Sequence, residues 1–322
     1  MGVAFSGGGT RAATATLGQL RALSELRLLP KARYLSCVSG GSWTCVPFTY
    51  LSSVSDADFL GQSLMPDQVT KAALRNLGAK RSHMRTIANS RVLGAAIKKL
   101  GGALLLDDET YAQIIGHVFL RPYGLNDDRM LFTWDRKTRD TIIAANMDVD
   151  PQNPLDPKRF YTVARPRPFL IAGGTVLREH NPRDQDKRIF FEMTPLYVGA
   201  PNLHKQAGEF DQDIGGGFIE TFAFDSTRAQ RAGRRAAICE MKARKNRFTL
   251  ADVIATSGAA PAERMPIKGF PEFNYWLPNN PGHAIHYDFG DGGILENTGV
   301  MPLLRRKVKR VVLFVNSDTP FR

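Results

Sequence analysis

Two short β-rich runs, residues 3–5 and 34–38, each break into a glycine-rich turn and then into a helix-patterned segment. The turns lie roughly 30 residues apart, the length of one βαβ crossover. Nothing else in the chain constrains the fold so tightly. Strand, helix, strand, helix within residues 3–51 predicts an α/β protein with a central, mainly parallel sheet flanked by helices. The first helix is expected over 10–29, with Ala13, Leu17, Leu20, Leu23 and Leu26 on one face and Pro30 ending it. The second is expected over 42–51.

The two turns read Ser6-Gly7-Gly8-Gly9-Thr10-Arg11 and Val38-Ser39-Gly40-Gly41-Ser42-Trp43. Backbone N–H groups at the start of a helix can hold an oxyanion or a phosphate. A serine on a tight strand-to-helix turn with small neighbours meets the steric needs of a nucleophile elbow. Glycines follow Ser39 at +1 and +2, whereas Cys37 stands at −2, where such elbows usually carry glycine. A plain flexible turn is the competing reading, and Ser36 and Ser42 are the local rivals. For Arg11, two residues beyond Gly9, a phosphate contact competes with a structural ion pair.

Further strands are expected at 168–176, 189–198, 218–224, 285–289 and 308–316, a helix at 248–259, and loops at 148–157 and 278–282. Asp291-Gly292-Gly293 follows the fourth of these strands. No histidine follows His286, so Asp291 cannot be the middle member of a Ser, Asp, His series. If it is catalytic, it acts on Ser39 directly as a general base. A carboxylate with a pKa of about 4 is a weak base for this task, so proton transfer must be coupled to attack and to strong oxyanion stabilisation.

The chain has 322 residues, 43% of them apolar, enough for a large core. We expect one domain over 1–322, with a mostly helical insertion or cap at about 56–146, where strand signals nearly vanish. No run approaches the roughly 18 apolar residues of a membrane span, and no secretory leader is read ahead of Gly2. Three cysteines, Cys37, Cys45 and Cys239, do not make a disulfide framework and point to a reducing, cytoplasmic setting. The net charge of +12 is concentrated. Residues 71–100 carry eight Lys or Arg and no acid, residues 228–247 eight against Glu240, and residues 305–310 five more. Such clusters attract an anionic membrane surface or a nucleic acid, unless they are only a solvated face. No zinc-finger spacing or aromatic RNA-binding signature accompanies them, so no nucleic-acid partner is expected.

With these residues in view, the chain resembles the catalytic domain of the cytosolic phospholipase A2 and fungal-type lysophospholipase (phospholipase B) family, with patatin a more distant relative. The likeness lies in the 6–12 loop, the 38–43 turn, and Asp291-Gly292-Gly293 with Asn297 and Pro302-Leu303-Leu304. Phe191-Glu192-Met193-Thr194-Pro195 and Ala255-Thr256-Ser257-Gly258-Ala259-Ala260-Pro261 are weaker echoes. The resemblance implies Ser39 as nucleophile, Asp291 as base, Gly8 and Gly9 as oxyanion donors and Arg11 as a phosphate contact. It further implies ester cleavage through an acyl-serine, with no metal at the catalytic centre. We expect a phospholipid or lysophospholipid substrate, no cofactor, and peripheral contact of the basic segments 71–100 and 228–247 with an anionic membrane surface. An acyl hydrolase or acyltransferase acting on neutral lipids or small esters, and a catalytically silent lipid-binding protein, remain alternatives. A histidine-assisted variant using His286 is a third. Trp43 is read as core packing.

Overall fold

The computed structural model describes residues 1–73, 82–90, 108–146, 155–177, 188–204, 213–226, 228–231, 237–240, 248–259, 271–277 and 280–316. In chain order, β1 (Gly2–Phe5) leads into α1 (Gly9–Glu25), and β2 (Tyr34–Val38) into α2 (Ser42–Tyr50). Four helices follow: α3 (Asp56–Leu60), α4 (His83–Asn89), α5 (Asp108–Phe119) and α6 (Arg136–Ala145). Then come β3 (Phe169–Leu177), β4 (Arg188–Met193), β5 (Tyr197–Gly199) and β6 (Ile219–Glu220). The chain continues through α7 (Leu250–Ser257), β7 (Glu272–Leu277), β8 (Asn280–Asp291), α8 (Met301–Arg305) and β9 (Val311–Phe314).

These nine strands form one sheet in the order β6-β5-β4-β3-β2-β1-β9, with β8 also on β3 and β7 on β8. The class is α/β, as expected. The parallel block β3-β2-β1-β9 comes from the two strand–turn–helix units and the last strand. Antiparallel pairing of β4 and β8 with β3 and of β7 with β8 leaves β4, β6 and β8 running against the other six.

The pairing along β3 decides where the chemistry sits. Residues 34–38 of β2 pair in parallel with 169–173, ending at Val38 opposite Gly173. Residues 288–291 of β8 pair antiparallel with 177–174 on the same edge, ending at Asp291 opposite Gly174. Two strands of opposite direction thus abut end to end, and their C-terminal ends meet. Ser39 follows one end and Asp291 closes the other.

Several elements differ from the sequence reading. Helix α1 stops at Glu25, ahead of Pro30, because Arg27 takes φ 54°. The Arg27 and Leu28 N–H groups then return to the Ser24 and Leu23 carbonyls, a Schellman ending without its usual glycine. The strand expected at 189–198 is a hairpin, β4 and β5, because the Thr194 hydroxyl turns the chain by donating to the Tyr197 carbonyl and accepting the Tyr197 N–H. The strand expected at 218–224 shortens to β6 and passes into a 3-10 turn at Thr221–Ala223. Strand β7 was not anticipated, although Phe273 and Tyr275 alternate into the core. Most of the 148–157 loop, and 278–279 of the other expected loop, lie outside the described residues, while Asn280 already belongs to β8.

His83 of α4 is packed beneath α2, fully buried and stacked on Phe59 with ring centres 4.6 Å apart. It hydrogen-bonds Tyr123 Oη at 2.9 Å and Thr44 Oγ1 at 3.1 Å. Burial pushes its pKa down to about 3, opposed in part by a backbone hydrogen bond with Trp43. The unfolded chain therefore binds a proton that the folded one refuses between about pH 6.5 and pH 3. Stability is full above that window and falls as pH drops through it, by up to about 1.4 kcal/mol per unit. Urea midpoints at pH 7.5 and 5 should differ accordingly, and His83→Gln should lessen the difference; an unchanged slope would place the acid sensitivity elsewhere.

Candidate active site

Ser39 follows Val38, the extended end of β2, and opens the single 3-10 turn Ser39–Gly41 that runs into α2. Its φ is 52°, a left-handed conformation that costs about 1–2 kcal/mol outside glycine. Every polar group of the residue is engaged. The hydroxyl donates to Asp291 Oδ2 at 2.7 Å, the N–H donates to Ser257 Oγ at 3.0 Å, and the carbonyl accepts from Ser42 Oγ at 2.6 Å. This separates the three local serines. Ser42 props the turn, and Ser36 is buried with its hydroxyl unpartnered among the described residues; Ser39 faces the carboxylate.

Asp291 is 3% exposed and Ser39 6%. The other carboxylate oxygen, Oδ1, accepts the Gly293 N–H at 2.7 Å, and the Asp291 carbonyl accepts from Thr175 Oγ1 at 2.9 Å. A Cβ at Gly292 would lie 2.5 Å from the Gly173 carbonyl oxygen, so only glycine lets this turn close against β3.

The loop after β1 lies directly on the elbow. A Cβ at Gly40 would meet the Gly9 carbonyl oxygen at 1.9 Å, which explains the glycine at +1. Gly7 N–H donates to the Asn297 carbonyl at 2.9 Å, tying the loop to the segment after Asp291. Gly8 and Gly9 take φ 135° and 62°; Gly8 is exposed and Gly9 half-buried. Helix α1 begins at Gly9 without a side-chain cap or an acid in its first turn. Its first N–H groups lack intrahelical acceptors, and its positive end is not neutralised locally. Helix α2 likewise begins at the elbow without an acid in its first turn.

Arg11 is exposed and makes no hydrogen bond or ion pair with another described residue, so the structural pairing weighed from sequence is not found there. Cys37 fits at −2: it is buried, and its thiol donates weakly to the Ile171 carbonyl at 3.5 Å. Trp43 packs as expected, stacked on Phe119 with centres 4.8 Å apart, and its Nε1 donates to the Ile254 carbonyl. His286 bonds Glu272 Oε2 at 2.9 Å on the outward face of the β7–β8 pair, which gives it a partner other than the dyad. In the sequence Ser257 stands only as one member of the 255–261 motif. Its contact with Ser39 spans 218 positions and had no local signal.

Chemically, the arrangement places a hydroxyl bonded to a carboxylate beside helix N-termini, where the C-terminal ends of the parallel strands β1 and β2 meet the end of the antiparallel β8. That is where open α/β sheets present their ligand sites.

No family model matches the chain, and no curated protein is similar to it. Among solved structures it is similar to human GIVD cytosolic phospholipase A2, at 16% identity and a TM-score of 0.49, over 96% of this chain and 42% of that one. The same human protein in complex with methyl gamma-linolenyl fluorophosphonate aligns at 18% identity and TM-score 0.38, over 88% of this chain and 34% of that one. The chain spans less than half the length of these solved chains. Likeness at this level carries no inference about chemistry, which has to come from the Ser39–Asp291 contact itself.

Proposed function

We propose that this protein is a serine-dependent carboxylic ester hydrolase acting on the acyl esters of phospholipids or lysophospholipids. The observation that carries the reading is the 2.7 Å hydrogen bond from Ser39 Oγ to Asp291 Oδ2, between buried residues 252 positions apart. Asp291 takes the hydroxyl proton as Ser39 Oγ attacks the ester carbonyl. The N–H groups of Gly8 and Gly9 hold the oxyanion; one such donor is worth about 2.7–4 kcal/mol at the transition state. Collapse expels the alcohol, which leaves with the proton from Asp291. Water, deprotonated by the same carboxylate, then attacks the acyl-serine, and the fatty acid is released as Ser39 Oγ takes the proton back from Asp291. The Ser39 N–H is already donated to Ser257 Oγ, which supports assigning oxyanion binding to the glycine loop.

The fluorophosphonate test is direct: wild type should label at Ser39, Ser39→Ala should not, and equal labelling of both would reject the nucleophile. Products released from a mixed-phospholipid vesicle identify the acyl position.

Arg11 is the proposed phosphate contact, supported by its exposure two residues into α1. Arg11→Ala should raise KM for a phospholipid about tenfold, the loss of roughly one charge-assisted hydrogen bond, while leaving a neutral ester nearly unaffected. Equal effects on both substrates would favour the neutral-ester alternative. Cations of 71–100 and 228–247 would hold the protein to an anionic lipid surface. The 305–310 cluster is ill placed for that contact: the Arg310 carbonyl bonds the Gly2 N–H, at the opposite end of the strands from Ser39.

A further inference from the structure

A nucleophile in a left-handed turn needs something to hold it there, because the turn relaxes if its backbone contacts are lost. Two hydrogen bonds converge on one side chain that has no part in the reaction. Ser257 Oγ accepts the Ser39 N–H at 3.0 Å and donates to the Gly173 carbonyl at 2.7 Å. Gly173 is the β3 residue opposite Val38, and its neighbour Gly174 is opposite Asp291. The hydroxyl thus ties the turn to the junction where β2 and β8 meet.

Ser257 is itself held firmly. It is fully buried at the C-terminal end of α7. Trp43 Nε1, from α2, donates to the Ile254 carbonyl at 3.1 Å. Tyr111 Oη, from α5, donates to the Gly258 carbonyl at 2.6 Å. Three helices therefore fix the position of one hydroxyl. Its neighbour Thr256 is equally buried, yet its hydroxyl finds no partner among the described residues, so polar burial alone does not account for Ser257.

We infer that Ser257 is a positioning residue: its hydroxyl holds the Ser39 backbone in the left-handed turn and thereby sets the approach of Ser39 Oγ to Asp291. The inference rests on Ser39 being the nucleophile. Without the Ser257 hydroxyl the Ser39 N–H is buried without an acceptor, the turn relaxes, and the attacking oxygen moves from its line to base and oxyanion loop. Misplacement of that kind costs rate rather than substrate affinity.

The test compares wild type, Ser257→Ala and Thr256→Val. It measures kcat and KM on p-nitrophenyl butyrate, the rate of fluorophosphonate labelling at Ser39, melting temperature, and deuterium exchange at the Ser39 amide. Ser257→Ala should lose about 10- to 100-fold in kcat and in labelling rate with little change in KM, and its Ser39 amide should exchange faster. Thr256→Val should behave as wild type. Should Ser257→Ala not fold, Ser257→Cys, of similar size with a poor acceptor, carries the same expectation. A Ser257 variant that melts earlier yet keeps wild-type kcat and labelling per folded molecule overturns the inference while Ser39 stands as nucleophile. A wild type that fails to label at Ser39 removes the enzymatic reading itself, and Ser257 with it.

Discussion

Asp291→Asn should keep the fold and lose the reaction, with kcat for ester hydrolysis falling about 10²- to 10⁴-fold, the usual contribution of a positioned base. The substitution is nearly isosteric. Asparagine can still accept the Gly293 N–H through its carbonyl oxygen, and the backbone bond from Thr175 is untouched. What disappears is a group able to take the Ser39 proton. Ser39→Ala should fall at least as far, because on the proposed mechanism it removes the attacking atom. Both variants should unfold at urea concentrations close to wild type, separating lost chemistry from lost structure. An Asp291→Asn enzyme within threefold of wild-type kcat would mean that the 2.7 Å contact is a structural hydrogen bond and that another group takes the proton.

Glu192→Ala is expected to give the largest loss of stability. Glu192 lies in β4 at 0% exposure. Its Oε1 accepts from Arg305 Nη1 at 2.6 Å and its Oε2 from Arg306 Nη2 at 2.7 Å, and Arg306 Nη2 also donates to Tyr197 Oη. Breaking a buried pair from one side typically costs about 3–5 kcal/mol. Arg305 keeps 29% of its side chain exposed and can recover some water, so about 3 kcal/mol is expected. A lower urea midpoint at unchanged slope would register it. Activity should fall too, since Arg305 ends α8 and that helix follows the Asp291–Asn297 segment that holds the glycine loop. A midpoint shift under 1 kcal/mol would show that solvent compensates both arginines.

The parallel block was legible because its signals are short-range. An apolar run of four or five residues, a glycine turn and a 3.6-residue periodicity are written within each segment, and the elbow at Ser39 follows from the same local sterics. Helix ends were harder: Arg27 closes α1 in a conformation usually left to glycine, and no residue type announced it. Strand β7 carries an alternating aromatic signal at Phe273 and Tyr275, but a short run beside loop-like residues does not read as a strand until β8 pairs with it.

The amino-acid sequence by itself determined the strand–turn–helix units, the glycines that let backbones touch at Gly40 and Gly292, and a serine and an aspartate each placed at a strand end. The tertiary structure alone decided that those two ends are the same place. β3 offers one edge to both β2 and β8, in opposite directions, so their termini must converge at Gly173 and Gly174. Strand pairing over such distances is set by the whole core, and a local pattern holds no record of it.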